Sequence, residues 1–204
     1  MTAGTVFIID DDASVRDALL LLVDSLGMHG QGFADADAFL AAPSVPRPAC
    51  VITDVCMPGT DGITLQRLLR ERSVTIPVIV MSAHGDIPMA VSAVRAGAID
   101  FVEKPFRNQQ MIDRLREAIE LDRTNIVRTE ACGQLTQRMQ TLTTREKQVF
   151  DLLANGYSNK RVAATLHLSP RTVETHRARI LRKMHMSSIT ALVHTIASMP
   201  ALND

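Results

Sequence analysis

Residues 6–12 read Val6-Phe7-Ile8-Ile9-Asp10-Asp11-Asp12, and this stretch decides the fold class. Four apolar residues, three of them β-branched, predict a buried strand that stops at three carboxylates. Val15, Leu19, Leu22 and Leu26 then recur at helical spacing before Gly27, so a helix follows the strand. The unit repeats: His29–Phe33 before Ala36, Phe39 and Leu40; Cys50–Thr53 before Leu65, Leu68 and Leu69; Ile76–Met81 before Val91 and Val94; Ile99–Val102 before Met111, Leu115 and Ile119. Five strand–helix units imply an α/β, doubly wound parallel sheet.

Ligand sites in such sheets lie beyond the carboxyl ends of the strands. The residues there are Asp10, Asp11 and Asp12 after the first run, Asp54 after the third, Ser82 after the fourth, and Glu103, Lys104 and Pro105 after the fifth. Adjacent carboxylates repel one another, and a hard, oxygen-seeking cation such as Mg²⁺ (or Mn²⁺) relieves them. Taken alone, Asp12 reads equally well as the cap of a helix beginning near Ala13, with Asp10 and Asp11 solvated. Lys104, Ser82 and a divalent cation together suit the neutralisation of a phosphoryl group in transfer to a carboxylate.

Outward from the sheet, periodicity weakens from Asp122 to about Thr141, although Leu135 and Met139 allow a helical stretch. This reads as a linker, 123–140, between domains at 1–122 and 141–204. The tail is all-α, broken at Asn155-Gly156 and at Leu168-Ser169-Pro170. Thr143 or Thr144 with Glu146, and Ser169 with Pro170, mark two helix starts. In the helix after Pro170, Val173, the stem of Arg177, Ile180 and Met184 form the inward stripe; Arg171, Glu174, Thr175, Ala178 and Arg182 face outward. Small, polar and basic outward residues fit a major groove, and also an ordinary solvated face.

The net charge of zero over 204 residues conceals an asymmetry. Residues 1–124 carry 13 Asp and 4 Glu against 11 Lys and Arg, a net −6; residues 125–204 carry 11 Lys and Arg against 5 Asp and Glu, a net +6. A basic tail attracts phosphates, which makes nucleic acid its natural partner. Cys50, Cys56 and Cys132 lack Cys-x-x-Cys spacing, so reduced thiols are expected rather than a disulfide framework or zinc site. With no signal peptide or membrane-length apolar run, a cytoplasmic location away from the membrane is expected.

Four motifs in order, Ile9-Asp10-Asp11-Asp12, Thr53-Asp54 through Met57-Pro58-Gly59-Thr60-Asp61-Gly62, Met81-Ser82-Ala83-His84-Gly85 and Glu103-Lys104-Pro105-Phe106, resemble a two-component response-regulator receiver domain. The resemblance implies a flavodoxin-like (βα)5 fold with Asp54 as phospho-acceptor. It further implies that Asp10, Asp11, Asp54 and the Cys56 carbonyl hold Mg²⁺, that Lys104 contacts phosphate across a cis bond to Pro105, and that Ser82 and Phe101 switch together. Phe101 alone also reads as a plain core strand residue, and Cys56 as an inert thiol.

Leu142–Ser188 is similar to the LuxR-type helix-turn-helix of the NarL and FixJ regulators. The segments Ser82–Val91 and Ser169–Arg177 favour the FixJ subgroup. That similarity implies Arg171, Thr172, Glu174, Thr175 and Ala178 on the DNA side and phosphate contacts from Lys160 and Lys183. The implied partners are a sensor histidine kinase, double-stranded promoter DNA, RNA polymerase and a second copy of the chain, paired through Val91 and Arg95 on phosphorylation. An apolar strand entering Asp10-Asp11-Asp12 also fits a haloacid dehalogenase-type phosphatase with Asp10 as nucleophile. That reading leaves Ser14 off-pattern and gives neither Asp54 nor the basic tail a role. A receiver acting only as a constitutive dimerisation module is the third reading.

Overall fold

A computed structural model of the chain describes residues 4–42, 45–83 and 87–198. His84, Gly85 and Asp86 of the third motif lie outside the described residues. The elements run β1 Thr5–Ile9, α1 Ala13–Ser25, β2 His29–Phe33, α2 Ala36–Leu40, β3 Ala49–Asp54, α3 Gly62–Glu71, β4 Val78–Ser82, α4 Ile87–Arg95 and β5 Asp100–Glu103. There follow α5 Asn108–Gln140, α6 Thr144–Ala154, α7 Asn159–Leu166, α8 Pro170–Met184 and α9 Ile189–Ala197.

The five strands pair in parallel in the order β2-β1-β3-β4-β5, the flavodoxin-like order. Every residue of β1, β3 and β4 is buried, because helices cover both faces of the sheet. The two-residue alternation of the strands sorts their side chains. Phe7, Ile9, Val51, Val78 and Val80 pack with Ala36, Phe39, Leu65, Leu69 and Ala93 of α2–α4. Val6, Ile8, Cys50, Ile52, Ile79 and Met81 pack with Leu19 and Val23 of α1 and Met111, Leu115 and Ile119 of α5. With few aromatics available, Phe7, Phe33 and Phe39 cluster on one face, their centroids 5.3–6.3 Å apart.

The chain divides into two compact units, residues 1–127 and 128–204. The linker region, where Leu135 and Met139 allow a helical stretch, is helical throughout as the second half of α5, and the first compact unit runs to Val127. Asp122 is fully buried. It accepts hydrogen bonds from Arg47 Nε at 3.0 Å and from the Ala49 N–H at 2.7 Å, and pairs with Arg47 Nη2. In the second unit Cys132 is buried and Leu135 joins the core of α6–α9 with Leu142, Val149, Phe150, Val162, Val173, Ile180, Met184 and Leu192. The polar stretch conceals these few inward positions. No helix among the described residues is long and apolar enough to cross a membrane.

Candidate functional site

At the carboxyl edge of the first unit the three aspartates divide their work. Asp12 caps α1, accepting from the Ser14 N–H at 2.8 Å, and that hydrogen bond holds its carboxyl below the usual range. Asp11 is exposed. Asp10 is 1% exposed and receives the Asp12 N–H on Oδ1 at 3.0 Å, while Arg16 Nη1 donates to its carbonyl at 2.7 Å. The capping reading therefore holds for Asp12, but Asp10 is not solvated.

Asp54, the last residue of β3, is buried, and its Oδ2 accepts the Cys56 N–H at 2.7 Å. Lys104 Nζ donates at 2.6 Å both to Asp54 Oδ1 and to Asp10 Oδ2. Burial pulls the Lys104 pKa down, but hydrogen bonds and charge from Asp10 and Asp54 outweigh it and leave the ammonium above the ordinary lysine value. Gly62 opens α3 against this loop; a Cβ there would collide with the Asp54 carbonyl oxygen and reach 3.0 Å from Thr53 Oγ1.

Ser82 is 1% exposed at the end of β4, and its carbonyl accepts the Lys104 N–H at 2.8 Å. Phe101 lies beside Val80 in the sheet, half-buried against the α2–α4 cluster. The Lys104–Pro105 peptide is cis. Cys50, Cys56 and Cys132 are free thiols, and burial pushes the Cys50 thiol pKa up.

Asp10, Asp11, Asp54 and the Cys56 carbonyl form an all-oxygen donor set of the kind Mg²⁺ takes. Among the described residues no three acidic, His or Cys side chains already converge as a metal cluster. Lys104 bridges Asp10 and Asp54 instead, and Asp11 is exposed. The residue types fit the ion.

In the second unit Ser158 caps α7, and Ser169, followed by Pro170, caps α8. Arg171, Glu174, Thr175 and Ala178 are exposed and, with Pro170, line one shallow depression. Thr172 is half-buried, its Oγ1 2.8 Å from Ser169 Oγ. Lys160 is exposed on α7. One expectation needs correction. Arg177 is exposed, and His176 takes the inner position between Val173 and Ile180, because spacings of three and four are both compatible with one helical stripe. Lys183 Nζ donates to Glu146 Oε2 at 2.6 Å and to the Thr141 carbonyl at 2.9 Å.

Glu146 is 3% exposed and completes a capping box with Thr143. Burial pushes its pKa up, but Lys183 and the Thr143 hydrogen bonds outweigh that and leave it below the ordinary value. Sequence reasoning missed Arg16, the Cys56 N–H and the Arg47–Asp122 pair. No motif marks them, since each acts through a backbone group or across a long chain separation.

Residues 6–116 match the response regulator receiver domain family, and residues 140–196 match the luxR family of bacterial regulatory proteins. The transcriptional regulatory protein FixJ of Bradyrhizobium diazoefficiens is 40% identical over 204 residues, covering 100% of this chain and 99% of the relative. The response regulator protein TodT of Pseudomonas putida is 41% identical over 191 residues, 94% of this chain and 84% of TodT. Among solved structures, the response regulator StyR superposes with a TM-score of 0.77 at 39% identity, covering 96% of this chain and 99% of StyR. Full-length FixJ from B. japonicum superposes with a TM-score of 0.60 at 38% identity, with 100% of both chains covered. The haloacid dehalogenase reading finds no support in these relatives, and the chain belongs to the two-component response regulators that join a receiver domain to a LuxR-type helix-turn-helix, of the FixJ kind.

Proposed function

We propose that Asp54 accepts a phosphoryl group from a partner histidine kinase and that this modification promotes pairing of two copies and sequence-specific binding to promoter DNA. The observation that carries the reading is Lys104, whose ammonium bridges the buried carboxylates of Asp54 and Asp10 at the strand ends. One cation between two carboxylates leaves the site net negative, with capacity for a second cation.

In the proposed step an Asp54 carboxylate oxygen attacks the phosphorus of phosphohistidine. A P–O bond forms, the P–N bond breaks, and its electron pair stays with the departing imidazole, which is protonated. Mg²⁺, held by Asp10, Asp11, Asp54 and the Cys56 carbonyl, supplies charge neutralisation when bound. Lys104 exchanges a carboxylate contact for a phosphoryl oxygen. The Ser82 hydroxyl turns toward the phosphoryl group, and Phe101 shifts with it.

Downstream of the switch, α4 presents Ile87, Val91 and Val94 as exposed apolar side chains beside exposed Arg95. Apolar side chains grouped on one helix suit a self-pairing surface. A paired receiver brings two copies of α8 to a two-fold DNA site, with Arg171, Thr172, Glu174, Thr175 and Ala178 toward the bases and Lys160 and Lys183 toward the backbone. RNA polymerase is then the partner at the promoter, and the setting is the cytoplasm.

Acetyl phosphate with Mg²⁺ tests the acceptor. Intact mass spectrometry of the full chain is expected to gain one phosphoryl group in wild type and none in Asp54→Asn. Equal labelling of the variant removes Asp54 as acceptor.

A further inference from the structure

The amino ends of the strands carry a cavity that the phosphate chemistry does not use. It measures about 370 Å³ and lies where β4 and β5 begin, between α3, the segment 73–78, the segment 96–99 and α5. Leu69, Ile76 and Ile99 contribute apolar wall. Its volume is within the range of small-molecule sites.

Gln66 lines this cavity and is 4% exposed. Neither its amide nitrogen nor its amide oxygen has a hydrogen-bond partner among the described residues. Buried amides are nearly always paired, since each carries two N–H donors and an acceptor oxygen. The corner beside it is kept open by Gly97, whose φ of +98° suits glycine and where an added Cβ would stand 3.6 Å from Gln66 Nε2 and run into Arg70. Arg70 donates from Nη2 to the Ala96 carbonyl at the same corner, leaving further guanidinium N–H groups for a ligand carbonyl.

A side-chain amide offers donor and acceptor side by side. Its full complement returns acceptor and donor side by side, which is the edge of a lactam, a ureide or a primary carboxamide. A carboxylate satisfies the N–H and leaves the Gln66 oxygen facing negative charge. We propose that this cavity is a binding site for a small, planar, neutral amide, read by Gln66 and bounded by Arg70. The site belongs to the unmodified chain, so its fate is independent of Asp54.

Titration of the full-length protein with benzamide, followed by ¹H–¹⁵N spectra, tests it, with benzoate as the charged control. Saturable shifts are expected at the Gln66 side-chain NH₂ and at the Gly97 and Ile99 amides, with benzoate at least about tenfold weaker. Gln66→Leu, or Gln66→Met should the first variant fail to fold, is expected to keep the native spectrum and lose benzamide binding. No saturable shift with benzamide, equal binding of benzoate, or unchanged binding in the folded Gln66 variant each overturns the proposal.

Discussion

Lys104 in the first unit and Lys183 in the second each place an ammonium 2.6 Å from a buried carboxylate, yet the two arrangements differ in what they leave over. Glu146 meets one lysine and the Thr143 backbone, so one ammonium faces one carboxylate. Lys104 meets two carboxylates with Asp11 exposed nearby, so one ammonium faces an excess of carboxylates. A balanced pair ties helices together. An acidic excess at strand ends repels itself and favours a further cation.

The comparison breaks most readily at Lys104. Lys104→Ala is expected to slow phosphorylation by acetyl phosphate by about 10²–10³-fold, the usual cost of removing one preorganised charge from a transfer site. Its urea midpoint is expected to fall as well, because Asp10 and Asp54 are left buried and mutually repelling. A large stability loss with normal phosphorylation would make Lys104 a structural residue like Lys183.

Lys183→Met is expected to lose stability with phosphorylation unchanged. Leaving Glu146 buried without its charged partner is expected to cost about 2 kcal/mol in the second unit, measured by urea unfolding. The double variant Lys183→Met, Glu146→Met is expected to recover much of it. Near-native stability together with a reduced salt dependence of DNA binding would make Lys183 a phosphate contact rather than a fold-holding residue.

A smaller effect belongs to Arg171. Arg171→Ala is expected to weaken DNA binding by about tenfold, with the salt slope falling by about one if the contact is to phosphate. The smallest is acid sensitivity. Glu146 has a folded pKa below its ordinary value near 4.5, so its contribution is full above about pH 4.5 and is lost as pH falls through the lower folded value. Urea midpoints of the second unit between pH 5 and 3 are expected to fall in wild type, and to fall less in Glu146→Gln.

The lysines also illustrate what the sequence makes legible. The strand runs fall where periodicity puts them, with β2 matching residue for residue. β4 begins at Val78 rather than Ile76 because Pro77, lacking an N–H, precedes the ladder. The carboxyl-edge residues are readable because parallel topology gathers strand ends whatever their separation in the chain. Lys183 is not readable in that way: a basic residue on a predicted helix has the same pattern whether it meets a phosphate or Glu146, thirty-seven residues away. The same limit hides Asp122, the burial of Cys132 and the unpaired Gln66 amide. Periodicity reports the average face of an element, and a single buried polar or apolar position in a polar stretch leaves that average unchanged.

Under the proposed function, chemistry at Asp54 in the acidic unit sets the DNA affinity of the basic one. Fluorescence anisotropy with promoter DNA, carried out on the full chain with and without acetyl phosphate and Mg²⁺, measures that coupling directly. Modified wild type is expected to bind at least about fivefold more tightly, the lower end of ordinary coupling energies, and Asp54→Asn to show no change. Equal affinities for modified and unmodified wild type, or the same gain in Asp54→Asn, would contradict it.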